Sequence, residues 1–260
     1  MFRFDGKVIV ITGAGAGIGA SAAVLFAKQG GIVAVTDIDR DAIEKTVACI
    51  RSAGGVAEGF YCDVSDRNSV DQMVDDVVNR LGTVDVLVDN AGGTHGTVHS
   101  GLVEEYTDEE FDGVVKRNLY GAFYLAREVI PIMKRKGSGK IVIVSSGAGR
   151  MHSRSEYGRI PYAASKAAQL GLMRQLALEN APFNIQVNAV APGLTQTTEY
   201  IEKNWLSNSE EKRQATLKAI PAGRRARPEE IAAGILYMAS SEADFVVGHC
   251  LDINGGRIMM

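Results

Sequence analysis

The sequence has little of what marks several large classes of protein. It contains three cysteines in 260 residues, and these form no CxxC pair. Because the cysteines are few and widely spaced, they argue against a disulfide scaffold. They predict buried thiols in a reducing compartment, which is the cytoplasm. No apolar run reaches the roughly 18 residues of a membrane span, and we expect no signal peptide before the first strand.

An excess of one sign of charge is also missing. The chain has 28 Lys and Arg against 31 Asp and Glu, a formal net charge of −3. Nucleic-acid binding needs a basic patch, so no nucleic-acid partner is predicted, and no metal site either. Hydrophobic residues make up 46% of the chain, and no linker or internal repeat divides it. We therefore predict one domain over residues 1–260 with a large core.

Glycine, in contrast, is concentrated near the start of the chain. An apolar run at residues 8–11 predicts a buried parallel strand, and a helical pattern begins at Ala20. Between them lie Gly13, Gly15, Gly17 and Gly19. A strand, a glycine turn and a helix form the phosphate-binding start of a βαβ unit, where backbone N–H groups and the helix dipole hold a pyrophosphate. A tight turn without a ligand is the alternative.

An acidic residue ends the second predicted strand. Asp37 lies roughly 20 residues beyond the glycine turn, where a carboxylate accepts hydrogen bonds from the adenosine ribose of NAD. The same carboxylate would repel the 2′-phosphate of NADP. Its alternative role is to cap the helix that follows. Arg40 could serve a 2′-phosphate, but an acid at the strand end argues against it.

Strands and helices alternate along most of the chain. The predicted strands cover residues 8–11, 32–36, 57–62, 84–88, 140–145, 184–190 and 249–253. Their alternation with helical segments indicates an α/β fold with a single doubly wound parallel sheet of about seven strands, Rossmann-like. A polar segment around residues 195–222 interrupts this order and is interpreted as a substrate lid.

A second chemical centre opens a later helix. Tyr162 and Lys166 are four residues apart, so they share one helix face. Free tyrosine has a pKa of about 10, and a nearby ammonium favours its phenolate form. This pair predicts a group that exchanges a proton with a substrate hydroxyl, although an ordinary surface pair has the same spacing.

Taken in order, these motifs resemble the classical branch of the short-chain dehydrogenase/reductase family over nearly the whole chain. The residues that carry the resemblance are Thr12-Gly13-x-x-x-Gly17-x-Gly19, Asp63-Val64, Asn90-Ala91-Gly92, Asn118, Ser146, Tyr162-x-x-x-Lys166 and Pro192-Gly193. The resemblance implies an NAD(H)-dependent oxidoreductase that interconverts a secondary alcohol and a ketone.

The resemblance also implies a role for each matching residue. Tyr162 would be the general acid/base, and Lys166 would favour its phenolate and hold the nicotinamide ribose. Ser146 would hydrogen-bond the reacting oxygen, and Asn118 would bend its helix to hold a water; on the sequence alone, Asn118 could equally face solvent. The implied cofactor contacts are Gly13, Gly17, Ile18, Gly19, Asp37, Asp63, Val64, Asn90, Ala91, Gly92, Tyr162, Lys166, Pro192, Gly193, Thr195 and Thr197.

The chain departs from its relatives at a few positions. Asp89 stands where many relatives have Asn, Val247 replaces a common Thr, and Asn254 replaces a common Asp. The segment between Ser146 and Tyr162 is a few residues longer than in most relatives, which leaves Ser145 as an alternative catalytic serine.

The same long segment bears on the substrate. Residues 147–161 carry Arg150, His152, Arg154 and Arg159 against a single acid, Glu156. A guanidinium could clamp an anion, so we predict a small anionic or polar hydroxy substrate; arginines that face solvent or a subunit interface are the alternative. The predicted substrate contacts are Ser146, Gly147, Tyr162, Arg150 and His95.

Several finer interpretations remain open from the sequence. Short stretches resemble dehydrogenases of cis-dihydrodiol carboxylates, and 3-oxoacyl reductases, many of which use NADPH, share the scaffold. A non-catalytic cofactor-binding regulator is a third alternative, although it should lack Tyr162 or Lys166. Small residues on the Tyr162 helix, together with the resemblance, predict a homotetramer, with a dimer as the alternative.

Overall fold

The fold is seen in a computed structural model that describes residues 2–94, 102–151 and 160–259. Seven strands form one sheet in the order β3-β2-β1-β4-β5-β6-β7. Every pair of neighbouring strands is parallel. They are β1 (Val8–Thr12), β2 (Ile32–Asp37), β3 (Val56–Tyr61), β4 (Val86–Asp89), β5 (Gly139–Val144), β6 (Ile185–Pro192) and β7 (Cys250–Ile253). The predicted doubly wound α/β sheet is confirmed.

The strand order reverses between β1 and β4, which are neighbours although two strands separate them in sequence. In open α/β sheets, ligands bind outside the carboxyl ends of the strands at such a reversal. The helices that flank the sheet are α1 (Gly17–Lys28), α2 (Arg40–Ser52), α3 (Arg67–Leu81), α4 (Asp108–Val115), α5 (Gly121–Lys136), α6 (Ile160–Asn180), α7 (Glu199–Leu206), α8 (Glu210–Lys218) and α9 (Pro228–Ala239).

The sheet separates two hydrophobic cores. Successive side chains of a strand point to opposite faces, and in β1 Val8 and Val10 enter one core while Ile9 and Ile11 enter the other. The first core contains residues of α3, α5 and α6, and the second contains residues of α1, α2 and α9. Burial on both faces explains why these strands are continuous apolar runs.

One long helix differs from its sequence pattern. The periodicity predicts a continuous helix through Phe111 and Leu125, but the structure has a π-helical turn at Lys116–Tyr120 between α4 and α5. Asn118 lies inside this turn and is fully buried, so the solvent-facing alternative is wrong. Single π-helical turns inside α-helices are frequently found at functional sites.

The cysteines correct another expectation. Cys62 and Cys250 are buried, and burial raises the pKa of the Cys62 thiol to about 12. Cys49 is exposed, because it lies on the side of α2 opposite the buried residues Val47 and Ile50. No helix in the described part of the chain is long and apolar enough to cross a bilayer.

Candidate active site

The glycine turn is closely packed between β1 and α1. Gly13 and Gly17 have φ angles of +62° and +57°, which strongly favour glycine. A Cβ on Gly19 would lie 2.2 Å from the Gly13 carbonyl oxygen. The N-cap of α1 is Ala16, whose side chain cannot accept a hydrogen bond, so the first N–H groups of the helix are available to an anion. This cradle fits the pyrophosphate of a nicotinamide dinucleotide.

Asp37 is fixed at the edge of this turn. Its Oδ2 accepts a hydrogen bond from the Gly15 N–H at 2.9 Å, and its Oδ1 accepts one from Asp39 at 3.1 Å. The cap of α2 is instead Asp39, whose carboxylate accepts from the Ala42 N–H. The capping alternative for Asp37 is therefore wrong. The guanidinium of Arg40 lies over the Tyr61 ring, 4.6 Å from its centroid.

The loop after β3 is held by its own polar groups. Asp63 Oδ1 accepts hydrogen bonds from the backbone and the hydroxyl of Ser65, at 2.9 and 2.7 Å. The next residue, Val64, is buried against Gly121, the first residue of α5. The structure therefore places Asp63 and Val64 at the carboxyl edge of the sheet, beside the helix that follows the π turn.

Residues 90–92 connect the glycine turn to the second chemical centre. The Asn90 amide donates to the carbonyls of Thr12 and Gly13, at 2.9 and 3.1 Å. A Cβ on Gly92 would lie 2.5 Å from Asn118 Oδ1 and 3.3 Å from Lys166 Nζ. Only glycine leaves room for this approach of β4, the π turn and α6.

Lys166 and Asn118 are buried and held by backbone groups. Lys166 is 3% exposed, and its ammonium donates to the Val144 carbonyl at 2.9 Å. Asn118 Oδ1 accepts from the Gly93 N–H at 3.0 Å, while its Nδ2 donates to the Val114 carbonyl at 2.8 Å. Tyr162 is half-buried in the first turn of α6, and Lys166 Nζ lies 5.8 Å from its ring centroid.

The two candidate serines have different surroundings. Ser145 is buried, and its hydroxyl donates to the Lys166 carbonyl at 2.9 Å. Ser146 is half-buried, and its hydroxyl oxygen accepts from the Ala148 N–H at 3.1 Å, which leaves the hydroxyl proton to donate elsewhere. This difference favours Ser146 as the serine that meets a ligand. Gly147 follows it as the first residue of a short 3-10 turn.

The loop after β6 reaches back to the glycine turn. Pro192 ends β6, and a Cβ on Gly193 would lie 2.7 Å from Asn254 Cα. Thr195 is buried, and its hydroxyl donates to the Gly193 carbonyl at 3.0 Å. A Cβ on Gly17 would lie 3.2 Å from Thr197 Cβ. The predicted cofactor residues Gly17, at the start of α1, and Thr197, in the loop after β6, thus face each other.

The basic segment at residues 147–161 is described only in part. Arg150 donates to the Cys250 carbonyl at 3.0 Å and pairs with Asp252 at 3.0 Å. A guanidinium bound in this way within the chain has fewer donors left for a ligand, so this arrangement differs from the predicted substrate clamp. His95, His152, Arg154 and Arg159 lie outside the described residues.

Two buried side chains near the site were missed from the sequence. Gln169 of α6 is fully buried, and Arg225 is 5% exposed. Arg225 donates to the Thr195 carbonyl at 3.3 Å, pairs with Glu202 of α7, and lies over the Trp205 ring. The one available signal was the single tryptophan of the chain, which stands in an otherwise polar segment.

The comparisons with known proteins agree with this geometry. A family model described as enoyl-(acyl carrier protein) reductase matches residues 13–257. An uncharacterized oxidoreductase of Thermotoga maritima is 41% identical over 98% of both chains. The 3-oxoacyl-[acyl-carrier-protein] reductase FabG of the same organism is 38% identical, over 99% of this chain and 100% of the relative.

A solved structure gives the same result. A 7 alpha-hydroxysteroid dehydrogenase complexed with NADH and 7-oxo glycochenodeoxycholic acid superposes with a TM-score of 0.91 at 33% identity, covering 100% of this chain and 97% of that one. The chain therefore belongs to the short-chain dehydrogenase/reductase family. It is an oxidoreductase of CH–OH groups that works with a nicotinamide cofactor.

Proposed function

We propose that the protein is an NAD(H)-dependent oxidoreductase that interconverts a secondary alcohol and a ketone, with Tyr162, Lys166, Ser146 and Asn118 as its catalytic residues. The observation that carries the proposal is the convergence of Gly92, Asn118 and Lys166 beside the first turn of α6. Three separate elements meet there at distances that only glycine permits.

Each side chain has a distinct part in this proposal. The nicotinamide cofactor, when bound, supplies or accepts the hydride. Tyr162 exchanges a proton between its phenolic oxygen and the substrate oxygen. The Lys166 ammonium favours the phenolate and is oriented by its hydrogen bond to the Val144 carbonyl. Ser146 donates a hydrogen bond from its hydroxyl to the same substrate oxygen, keeps its own proton, and stabilises charge that develops there.

NAD(H) is the preferred cofactor in this proposal because of Asp37. Its carboxylate is oriented by Gly15 and Asp39 at the edge of the phosphate cradle. Ribose hydroxyls can donate to a carboxylate, whereas a 2′-phosphate would be repelled. The nearby cation Arg40 is stacked on Tyr61, and the solved relative was crystallised with NADH.

For the substrate we propose a small anionic or polar hydroxy compound. The support is the excess of basic residues in the segment between Ser146 and Tyr162, and the acid bound by the 7 alpha-hydroxysteroid dehydrogenase. The 38% identity to a 3-oxoacyl-[acyl-carrier-protein] reductase favours a second candidate, a 3-oxoacyl thioester. A panel of hydroxy acids, steroid acids and acyl thioesters, followed by NAD(P)H absorbance, separates the two.

The serines provide the test of the catalytic assignment. Ser146→Ala should lower kcat/KM by about a hundredfold, since it removes a donor to the reacting oxygen. Ser145→Ala is the matched control, because its hydroxyl serves the Lys166 carbonyl and costs about 1 kcal/mol of stability when lost. Equal losses of activity in the two variants would overturn the assignment of Ser146.

We also propose that the protein is a homotetramer. Ala164, Ala167 and Gly171 are exposed along α6, and Phe123 on α5 is 46% exposed. Small side chains let helices of two subunits approach closely, and an exposed aromatic residue gains by burial. Light scattering at micromolar concentration should give four subunits; a monomer would contradict the proposal, and a dimer would favour the alternative assembly.

A cytoplasmic location completes the proposal. All three cysteines are free thiols, including the exposed Cys49, which suits a reducing compartment. Fractionation of the source cells should recover the activity with cytoplasmic markers.

A further inference from the structure

A buried acid lies beside the proposed catalytic residues. Asp89 is the last residue of β4 and is 2% exposed. The groups that face it are the Lys166 ammonium and the Gln169 amide from α6, the Thr12 hydroxyl from β1, and the Cys62 thiol at the end of β3. Burial raises the pKa of Asp89 to about 7, although Lys166 and Thr12 oppose that rise.

Gln169 connects this acid to the π turn. Its Nε2 donates to the Asn118 backbone carbonyl at 2.9 Å and lies 3.5 Å from Asp89 Oδ2. One fully buried amide therefore contacts both β4 and the turn where helical bonding changes. Its own oxygen, Oε1, is buried with no hydrogen-bond partner in the described structure. Burying an oxygen without a hydrogen-bond partner costs free energy, and this cost indicates that the two contacts of Nε2 are needed.

We propose that Asp89 and Gln169 are a positioning pair for the catalytic cluster: Gln169 holds the Asn118 turn, and the charge on Asp89 sets how strongly Lys166 acts on Tyr162. This inference rests on the proposed function, in which Tyr162 and Lys166 carry the proton exchange. Neither Asp89 nor Gln169 touches the reacting atoms, so both act through their neighbours.

The sign of the electrostatic effect follows from the charges. An ammonium favours a nearby phenolate, and a carboxylate beside the ammonium offsets part of that effect. Alcohol oxidation needs the phenolate. Ionised Asp89 therefore shifts the pH profile of alcohol oxidation toward higher pH. Replacing Asp89 with Asn keeps the shape of the side chain and removes its charge.

The first experiment is the pH profile of kcat/KM for alcohol oxidation. With Asp89→Asn we expect the midpoint of the rise to move down by about one pH unit. Asp85→Asn is the control, since Asp85 is also buried but lies just before β4 and pairs with Lys7 and Lys136. That control should leave the midpoint in place. An unchanged midpoint in Asp89→Asn, or an equal shift in Asp85→Asn, would overturn the proposal.

A double-mutant cycle separates the pair from a general effect on structure. Gln169→Leu removes a donor from Asp89, so neutral Asp89 is favoured and the midpoint should also fall. In the Asp89→Asn background, Gln169→Leu should produce no further shift of the midpoint, although kcat falls. An equal midpoint shift in both backgrounds would refute the coupling.

A readout without turnover distinguishes failure of this inference from failure of the proposed function. Carbon-13 NMR of the aspartate carboxyl groups in the cofactor-free protein should show one group that titrates near pH 7. That signal should be absent in Asp89→Asn and present in Asp85→Asn. If no aspartate titrates above about pH 5, the inference fails even if the enzyme is active.

Discussion

Replacing Asp37 with alanine should reverse part of the cofactor preference. The carboxylate is held at 2.9 Å from the Gly15 nitrogen, so it cannot easily turn away from a bound nucleotide. Two unit charges about 4 Å apart repel by about 4 kcal/mol at an effective dielectric constant of 20. Because Asp37 is partly exposed and salt screens the charges, about 2 kcal/mol is a better figure for the repulsion of a 2′-phosphate.

The same substitution weakens binding of NADH. Hydrogen bonds from ribose hydroxyls to a carboxylate contribute about 1.5–3 kcal/mol. Together, the two effects amount to about 3.5–5 kcal/mol, and about 1.4 kcal/mol corresponds to a factor of ten. The ratio of kcat/KM for NADH to that for NADPH should therefore fall by at least a hundredfold.

The assay measures kcat/KM for both cofactors at a fixed substrate concentration and at low and high ionic strength. Discrimination by the wild-type protein should weaken as salt rises, because the repulsion is screened. Asp41→Ala is the matched control: it removes an exposed acid from the first turn of α2, four residues away. A ratio that stays within threefold in Asp37→Ala, or that changes as much in Asp41→Ala, would show that the Asp37 carboxylate does not set the cofactor preference.

Three further predictions concern the site and its supports. Gly92→Ala should lower kcat/KM more than tenfold, because its Cβ would lie 2.5 Å from Asn118 Oδ1; Gly113→Ala, where a Cβ meets nothing within 4 Å, is the control. Ionising buried Asp89 costs the folded state free energy, so wild-type stability falls as pH rises from about 4 to about 7. Urea unfolding at pH 5 and pH 8 should show Asp89→Asn gaining about 2.5 kcal/mol on the wild type at the higher pH, because about two pH units of the raised range lie between pH 5 and a pKa of about 7. A difference in stability that stays constant between the two pH values would contradict this prediction. Arg225→Met removes the ion pair with Glu202 and the hydrogen bond to Thr195, so the free energy of unfolding should fall by about 1–2 kcal/mol. Limited proteolysis of residues 199–218 should be faster for the same reason. Unchanged proteolysis would argue against Arg225 as the anchor of α7.

The sheet and the phosphate cradle could be predicted because their signals are local. Buried parallel strands are continuous apolar runs, and Gly13 and Gly17 stand where φ is positive. The strand ends differ from the predicted ones by one or two residues; β4, for example, begins at Val86 rather than Val84. Those ends depend on pairing with β1 and β5, which the sequence of one strand does not contain.

The parts that local sequence patterns did not predict depend on contacts between distant residues. The family resemblance implied a bend at Asn118, but the hydrophobic periodicity did not, because the π turn there is stabilised by Gly93, 25 residues away, and by Gln169, 51 residues away. Arg225 is buried because Glu202 and Trp205 cover it, and composition alone places a cation of a polar segment in solvent. The exposure of Cys49, in contrast, could have been predicted, because it falls on the polar side of an amphipathic helix.

Tyr162→Phe tests whether Tyr162 exchanges the proton with the substrate. The substitution removes one oxygen from a half-buried ring and leaves the glycine cradle, Asp37 and Lys166 unchanged. Fluorescence titration and steady-state kinetics should be measured on the same preparation, with Tyr237→Phe on α9 as the control. We expect kcat/KM to fall by about a hundredfold to ten thousandfold with NADH affinity within about threefold of the wild type. Near-normal turnover in Tyr162→Phe would show that Tyr162 is not the residue that exchanges the proton.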